Sequence, residues 1–442
     1  MKMIIKNKNS EISFKILCLF VAIYPITPDY FRIVGIPAQI LVIIMCLGFL
    51  FFLNGFKYPL IKERRIKAVY TSTIVWAISM VLIYLIHGST YAILSILLPW
   101  VILFPFLIKN INTKERILKV IDILVIAGFI VSILAIIDEV TGINVFWFLN
   151  NSGTDIYIHE ARLGIRRVYS FSSHPNSFSL YCMFIEAILF YRIFCTSLQK
   201  KSFYKAAYVT VFIAACCTAS RASIIAIIIS QLIFLWMKGY KKFFKYLLYV
   251  MFSLCLLLFI IALVAPELYS EINSIFVLLM AVFNDSYAEQ LQSLGYQWTA
   301  NGVADRFTLW EIVFSKMKGH FLIGYGPSTL LEGVSVKNSL GVSNEKSSIE
   351  VQFLLLLYRY GIIVALIEEI RNMIQIFITY KNRRISCPWE SKIGFNRMCC
   401  VTFLVYFLML FTLNQTDTVR IYMILSSLFL AYNYNLLREV KN

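Results

Sequence analysis

Residues 117–137 read ILKVIDILVIAGFIVSILAII, an apolar run whose only charges, Lys119 and Asp122, lie near its start. A helix needs about 20 consecutive apolar residues to cross the hydrocarbon core of a bilayer, so this run predicts a membrane span. Similar runs recur along the whole chain. We predict twelve spans, at 12–31, 36–54, 68–86, 91–108, 117–137, 177–196, 206–219, 222–237, 246–264, 349–367, 398–413 and 419–436.

Composition agrees with this pattern. Of the 442 residues 60% are hydrophobic and only 15% are charged, and the mean hydropathy is +0.75. A soluble domain carries about 25% charged residues. The sequence therefore predicts an all-α polytopic membrane protein. The runs 206–219 and 222–237 are short and adjacent, which allows a broken helix or a hairpin of two short spans; we favour the hairpin.

The net charge of +17 is distributed asymmetrically. With the N-terminus inside, the predicted cytoplasmic segments carry 28 of the 41 lysines and arginines. These segments are 1–15, 55–67, 109–119, 197–205, 238–245, 371–397 and 437–442. This positive-inside bias predicts that both termini are cytoplasmic, and it explains the charge without a nucleic-acid partner.

The predicted spans leave two sizeable outer segments and divide the chain into three parts. Residues 1–264 hold spans one to nine and the outer loop 138–175, residues 265–348 form a large outer excursion, and residues 349–442 hold the last three spans and a cytoplasmic tail. Within the excursion, 272–283 is too short to span and predicts an interfacial or re-entrant helix. A true span there would invert everything after it.

A second helix is predicted over 305–318, where Trp310, Val313, Phe314 and Met317 recur at helical spacing beside polar residues. We expect this amphipathic helix to lie on the membrane surface and to cover a cavity.

Arginines are grouped on the predicted outer face. Arg162, Arg166 and Arg167 lie in EARLGIRR (160–167), Arg221 lies in ASRAS (219–223) between two spans, and Arg306 opens the amphipathic helix. The guanidinium fork can bind two phosphate oxygens at once and keeps its charge, so this grouping suggests a phosphate-bearing lipid substrate. The alternative is that these arginines anchor to lipid headgroups or pair with neighbouring carboxylates. Arg221 is the most informative, because a charge between two tight spans has few structural uses.

Two charges lie near the middle of predicted spans, Glu186 and Arg359. An unpaired charge there costs several kcal/mol, so we expect them to pair with each other or with polar groups, more as a structural clamp than as catalysts. Glu350, at the outer start of the tenth span, could accept a proton from a sugar hydroxyl; it could equally be a solvated helix cap. The four histidines show no metal-binding spacing, so neither a metal nor another cofactor is predicted.

The order of these motifs resembles a known family. An arginine-bearing outer loop is followed by Ser220-Arg221 at a span boundary, by Arg306 and Trp310, by GHFLIGYGP (319–327) and by Tyr360-Gly361-Ile362. This order is similar to that of the bacterial O-antigen polymerase and ligase superfamily, the Wzy-type polymerases and the lipopolysaccharide ligases. The resemblance extends over most of the chain in topology, and its motifs lie between residues 220 and 361.

The resemblance implies a metal-independent membrane glycosyltransferase with a GT-C-like fold. Such an enzyme acts on oligosaccharides linked to undecaprenyl diphosphate, at the periplasmic face of the bacterial inner membrane. By position, Arg221 and Arg306 would match the arginines that hold the diphosphate. From residue type and location we add Arg162 and Arg166 as further diphosphate ligands, and we predict Arg306 and Glu350 as catalytic residues, Glu350 as a substitute that the family does not itself supply. A chain-length regulator is a further partner to consider, in addition to membrane lipid.

The chain departs from the ligase-like members of the superfamily, which place a His-Asn pair where this sequence has Glu350. We therefore predict a repeat-unit polymerase in O-antigen or capsule biosynthesis, with an O-antigen ligase as the alternative. A flippase for the same lipid-linked oligosaccharide is a third possibility, but the large excursion 265–348 speaks against it.

Overall fold

A computed structural model describes the helical part of the chain and much of its loops. The described residues are 2–54, 64–88, 90–111, 113–152, 166–196, 201–237, 239, scattered positions between 243 and 263, 304–327, 329, 331, 335–337, 343–345, 349, 351–385, 394–413 and 418–439.

Helices dominate this part of the protein. They are α1 (Lys2–Ile23), α2 (Ala38–Asn54), α3 (Arg64–Ile86), α4 (Thr90–Ile96), α5 (Phe104–Asn110), α6 (Lys114–Thr141), α7 (Pro175–Cys195), α8 (Lys201–Cys217), α9 (Arg221–Met237), α10 (Ala304–Lys316), α11 (Gln352–Asn382), α12 (Phe395–Met409) and α13 (Val419–Glu439). A π-helical segment, Leu97–Leu103, joins α4 to α5. Two small antiparallel hairpins pair β1 (Arg32–Ile33) with β2 (Ile36–Pro37), and β3 (Ser335–Lys337) with β4 (Ser343–Glu345).

The predicted apolar runs coincide with helices in eleven of twelve cases, and the run 246–264 falls mostly outside the described residues. Five helical segments are long and apolar enough to cross a membrane: Asn9–Ile26, Ile66–Ile86, Ile93–Asn110, Lys114–Thr141 and Pro175–Cys195. Three shorter apolar helices accompany them. The chain is therefore an all-α membrane protein in its described part, but the count of twelve spans is not confirmed. The predicted hairpin of α8 and α9 agrees with the two helices separated by residues 218–220, but that each of them crosses the membrane stays a prediction.

The central element is α7. Its apolar window is buried over 89% of its length, whereas the other four candidate spans are buried over 39–44%. Phe184 lies 5.0 Å from Tyr406 and Tyr191 lies 5.4 Å from Phe395, measured between ring centroids, so α7 and α12 run antiparallel. A helix surrounded by protein on all sides can carry polar groups that lipid would exclude.

Backbone contacts gather the predicted outer segments at one end of the bundle. The N–H of Val168, just before α7, donates to the carbonyl of Cys217 at the end of α8 (3.1 Å), and the N–H of Gln352 donates to the carbonyl of Leu410 (3.0 Å). Because α7 and α12 are antiparallel, these two junctions lie at the same end. We call this the upper end, where α7, α9 and α11 begin; α1, α6 and α12 begin at the lower end.

The structure corrects the predicted span 349–367. Helix α11 continues to Asn382, and its course is broken at Gly361, whose φ of 79° and ψ of 173° are not helical. Arg371, predicted to be cytoplasmic, is only 2% exposed. Its guanidinium is 2.7 Å from Glu368 and 4.3 Å from the centroid of the Trp76 ring. The boundary was misplaced because these polar side chains face other helices, where an ion pair and an aromatic surface stabilise the charge.

The predicted pair of Glu186 with Arg359 is wrong. Glu186 is fully buried, and within the described residues neither of its carboxylate oxygens has a hydrogen-bond partner. Arg359 instead donates from Nε to the carbonyl of Thr329 at 3.3 Å, so its expected polar partner is confirmed. The break at Gly361 explains why Arg359 contacts Thr329 and not Glu186, because it brings the 319–329 loop against the upper part of α11.

The predicted amphipathic helix is confirmed as α10. Leu309 and Val313, with Met317 directly after its end, form its buried stripe, and Phe314, which we expected in that stripe, is 43% exposed. Trp310 is half-buried and stacks on Phe353 at the start of α11, with 5.6 Å between ring centroids. This contact places α10 at the upper end.

Candidate functional site

A tight corner joins α8 to α9 at the upper end. Thr218 donates its hydroxyl to the carbonyl of Ala215 (2.7 Å) and accepts the N–H of Ser220 (3.2 Å). Ala219 between them has a φ of +48°, a left-handed conformation that is uncommon for a residue other than glycine. Such strain costs about 1–3 kcal/mol and persists only where the surroundings enforce it.

Arg167 is the side chain that organises this corner. It is 7% exposed; its Nε donates to the carbonyl of Thr218 and its Nη2 to Oδ1 of Asn176, each at 3.4 Å. The same Asn176 oxygen accepts the hydroxyl of Ser220 at 2.8 Å. One arginine therefore ties the outer loop, the first turn of α7 and the start of α9 together.

The backbone around the corner is also constrained from the α7 side. His174 caps α7, its Nδ1 accepting the N–H of Asn176 at 3.1 Å. Ser170 has a φ of +52°, and its carbonyl accepts the side-chain amide of Asn144 at 2.9 Å. Two of the three described non-glycine residues with positive φ thus flank this corner, at Ser170 and Ala219.

A second constrained feature at the upper end joins the 319–327 loop to α11. In an unbroken helix the N–H of Ile362 would donate to the carbonyl of Tyr358. Here it donates to Phe321 (2.9 Å), and the carbonyls of Tyr358 and Arg359 accept the N–H groups of Tyr325 and Gly326 (2.9 Å each). We call this set of three main-chain hydrogen bonds the interlock.

The interlock requires glycine on both sides. Gly324 and Gly361 have φ values of +76° and +79°, which L-residues rarely adopt. A Cβ atom on Gly324 would lie 2.5 Å from the carbonyl carbon of Arg359, and one on Gly361 would lie 2.1 Å from the carbonyl oxygen of Leu322. Neither position can therefore hold a larger residue without separating the loop from the helix.

Aromatic side chains surround the interlock. The ring of Tyr325 lies between those of His320 and Tyr358, with centroid distances of 4.2 and 4.8 Å. The hydroxyls of Tyr84 and Tyr360 are 3.2 Å apart, which connects α3 to the helix just before its break. The loop is thus held by packing as well as by main-chain bonds.

The corner at 218–220 and the interlock lie in one stretch of sequence that matches a known family. Residues 206–367 match the O-antigen ligase family. This match supports the O-antigen ligase and polymerase superfamily, whose members are glycosyltransferase-like membrane enzymes. It does not separate polymerase from ligase. No curated protein matches the chain.

The segment shared with the O-antigen ligase family begins within α8 and ends just after the break in α11. It therefore includes the corner at 218–220, helix α10 and the interlock. Arg167 and Asn176 precede the shared segment, yet they pack directly on its corner.

The five residues predicted to form the site are described to different extents. Arg221 is the first residue of α9, next to the Arg167 corner, and Arg306 lies in the first turn of α10. Both helices begin at the upper end, but the two side chains are outside the description, as are Arg162 and Glu350 altogether. The roles of these four residues remain predictions.

Arg166 has carboxylate partners in the structure. Its Nη2 lies 3.5 Å from Asp138 at the end of α6, and its N–H donates to Glu139 at 3.2 Å. Its side chain remains 33% exposed. This is the carboxylate pairing that we considered as the alternative to phosphate binding. Because a neighbouring carboxylate partly neutralises Arg166, the side chain attracts a further anion less strongly.

Sequence reasoning did not single out Arg167 above its neighbours, nor did it consider Asn176. A usable signal was present: Asn176 follows His174-Pro175, a capping arrangement that fixes the start of a helix. A polar residue in such a first turn faces whatever loop crosses the helix end. The sequence did not reveal the hydrogen-bond partners of Asn176, because Arg167 and Ser220 are brought next to it only when the chain folds.

Proposed function

We propose that this chain is a polymerase of lipid-linked oligosaccharide repeat units. It would transfer the growing glycan from undecaprenyl diphosphate to the next repeat unit at the periplasmic face, during O-antigen or capsule biosynthesis. The observation that carries this proposal is the family match over 206–367, which includes the two constrained features of the upper end. The positive-inside bias of the sequence supports an outward-facing upper end.

The chemistry needs positioning and charge stabilisation more than a strong acid or base. The acceptor hydroxyl attacks the anomeric carbon, a new glycosidic bond forms, and the bond from that carbon to the diphosphate oxygen breaks. The departing lipid diphosphate retains the electron pair and gains negative charge. Arg221 at the start of α9 and Arg306 in the first turn of α10 would stabilise this charge without a metal ion.

The proton of the acceptor hydroxyl also needs a destination. Glu350 would accept it, and general-base catalysis of this kind contributes about 10²–10⁴-fold. Attack on the face opposite the diphosphate inverts the anomeric configuration. Holding both lipid-linked substrates beneath the 265–348 excursion would supply several further kcal/mol through orientation.

The corner gives Arg221 a rigid base. Arg167 and Asn176 fix Ser220, the residue directly before Arg221, so the start of α9 cannot rotate freely. A binding group on such a support holds its geometry better than one on a free loop. This rigidity supports the assignment of Arg221 over that of Arg166, which already has a carboxylate partner.

Deleting the gene and separating the surface glycan on a gel tests the proposal. Loss of a polymerase leaves single repeat units attached at the cell surface, whereas loss of a ligase leaves none attached. Arg221→Ala and Arg306→Ala should each reproduce the deletion. Arg32→Ala, which removes an exposed arginine at the same end, is the matched control and should leave the full ladder of chain lengths.

Other outcomes would contradict parts of the scheme. A full ladder in both Arg221→Ala and Arg306→Ala would remove these residues from the diphosphate site. Unchanged polymerisation in Glu350→Gln would exclude Glu350 as the base. Absence of any attached glycan in the deletion strain would replace polymerase with ligase.

A further inference from the structure

A groove at the lower end of the bundle lies far along the helices from the candidate site. It is formed by α1 and the start of α6 and has a volume of about 590 Å³. Its charged lining consists of Glu11 and Lys15 from α1 and of Glu115, Arg116 and Lys119 from α6. Three cations and two carboxylates thus face one space.

The charges are ordered by depth. On each helix a glutamate precedes a lysine by four residues, which is about 6 Å along the axis. Both helices begin at the lower end and run upward, so Lys15 and Lys119 lie closer to the apolar middle of the bundle than Glu11 and Glu115. The carboxylates therefore face the water side of the groove, and the two lysines face the membrane side.

Arg116 is fixed between the two helices. Its Nη2 donates to Glu11 at 2.8 Å and to the hydroxyl of Ser10 at 3.0 Å, and its Nη1 donates to the carbonyl of Asn110 at 3.0 Å. Lys15 and Lys119 are exposed, and neither forms an ion pair within the described part of the chain. The groove thus holds one rigid cation paired with Glu11 and two lysines that form no ion pair within 4 Å in the described part of the chain.

Exposed apolar residues continue from each lysine along the same helix face. Leu19 and Ile23 follow Lys15 by one and two turns and are 62% and 41% exposed. Ile126 and Ile130 follow Lys119 by about two and three turns and are 47% and 52% exposed. Two apolar tracks therefore run from a cationic groove into the part of the bundle that a bilayer would surround.

We propose that this groove binds an anionic glycerophospholipid. Its phosphate would lie among Lys15, Arg116 and Lys119, and its acyl chains would follow the two apolar tracks. A soluble polyanion would approach past the outer carboxylates and be repelled, whereas a lipid phosphate arrives from the membrane side. Basic pockets between membrane helices at the cytoplasmic side bind such headgroups. The site is independent of the glycan reaction.

Native mass spectrometry of the detergent-purified full chain tests this. Phosphatidylglycerol should bind more tightly than phosphatidylcholine, and Lys15→Gln/Lys119→Gln should weaken phosphatidylglycerol binding about 30-fold, the effect of two lysine–phosphate contacts. Lys201→Gln/Lys205→Gln removes two exposed lysines from α8 at the same end and is the matched control. It should bind phosphatidylglycerol as the parent does.

A second variant keeps the test decisive if the double variant does not purify. Glu11→Gln removes a carboxylate but no cation, so phosphatidylglycerol binding should tighten about fivefold. Unchanged or weaker binding in Glu11→Gln would refute the proposal, as would parental binding in the double lysine variant. Equal affinity for phosphatidylcholine, or displacement of the lipid by inorganic phosphate at equal concentration, would also overturn it.

Discussion

The interlock predicts a large local effect of a small substitution, Gly361→Ala. The new Cβ atom would lie 2.1 Å from the carbonyl oxygen of Leu322, well inside contact distance, so the loop must move away from α11. The backbone conformation of Gly361, with a φ of 79° and a ψ of 173°, is essentially restricted to glycine and alone costs an alanine about 1–3 kcal/mol. Separation of the loop also breaks the three main-chain hydrogen bonds of the interlock, each contributing about 1 kcal/mol net.

Together the three bonds, about 3 kcal/mol, are the local free energy that keeps the loop closed in the parent, whereas the clash and the backbone cost in Gly361→Ala destabilise only the closed form. At 1.4 kcal/mol per factor of ten, cancelling this free energy should raise the fraction of molecules with a detached loop by up to about 10²-fold. Hydrogen exchange followed by mass spectrometry measures this directly, because the N–H groups of Tyr325, Gly326 and Ile362 are protected only while the interlock is closed. Their exchange should accelerate by the same factor.

Substitutions of two further glycines separate the steric effect at Gly361 from the conformational effect. Gly35 has a φ of +77° but no atom near its Cβ position, so Gly35→Ala bears only the conformational cost of about 1 kcal/mol. Gly48 is helical and also open, so Gly48→Ala should be neutral or slightly stabilising. Neither should change exchange at the interlock. If Gly361→Ala also leaves the three amides at their parental exchange rates, the reasoning fails.

Two other substitutions test neighbouring features. Arg167→Lys keeps the positive charge, but one ammonium group cannot reach Thr218 and Asn176 together. The variant should therefore shorten the glycan ladder, while its protein level in membranes stays within about twofold of the parent. A full ladder would show that the corner tolerates a looser start of α9. Glu186→Leu removes a buried carboxyl group that has no hydrogen-bond partner in the described structure. The free energy of unfolding should rise by up to about 1–3 kcal/mol, so the thermal unfolding midpoint in detergent should not fall. A lower midpoint would indicate a partner for that carboxyl.

Hydropathy predicted the helices well because apolar length is a local property. Eleven predicted runs are helical, and the amphipathic helix observed at 304–316 was predicted over 305–318 from its periodicity. Hydropathy failed on α11 because it treats every polar residue as facing water. Arg371 faces Glu368 and Trp76 inside the bundle, and no local signal distinguishes that surrounding from cytosol.

The candidate site was predictable only as a set of residue types. The arginine-bearing loop and the Ser220-Arg221 boundary were identified in sequence, and the structure brings the loop onto that boundary through Arg167. Which arginine of the loop does so depends on the side chains of Asp138 and Asn176, which come from different helices. The predicted pairing of Glu186 with Arg359 failed for the same reason. Two residues at the same predicted depth in the membrane need not have side chains that face each other.

The interlock is made of main-chain atoms, and every amino acid except proline supplies the same donors and acceptors. Gly324 and Gly361 are thus its strict requirements, and the packing of Tyr325 between His320 and Tyr358 is a further constraint. The exposed side chains of Leu322 and Ile323 contribute no atom to its hydrogen bonds. The same main-chain support can therefore carry different side chains at such exposed positions, so a change in the preference for the proposed glycan substrate need not disturb it.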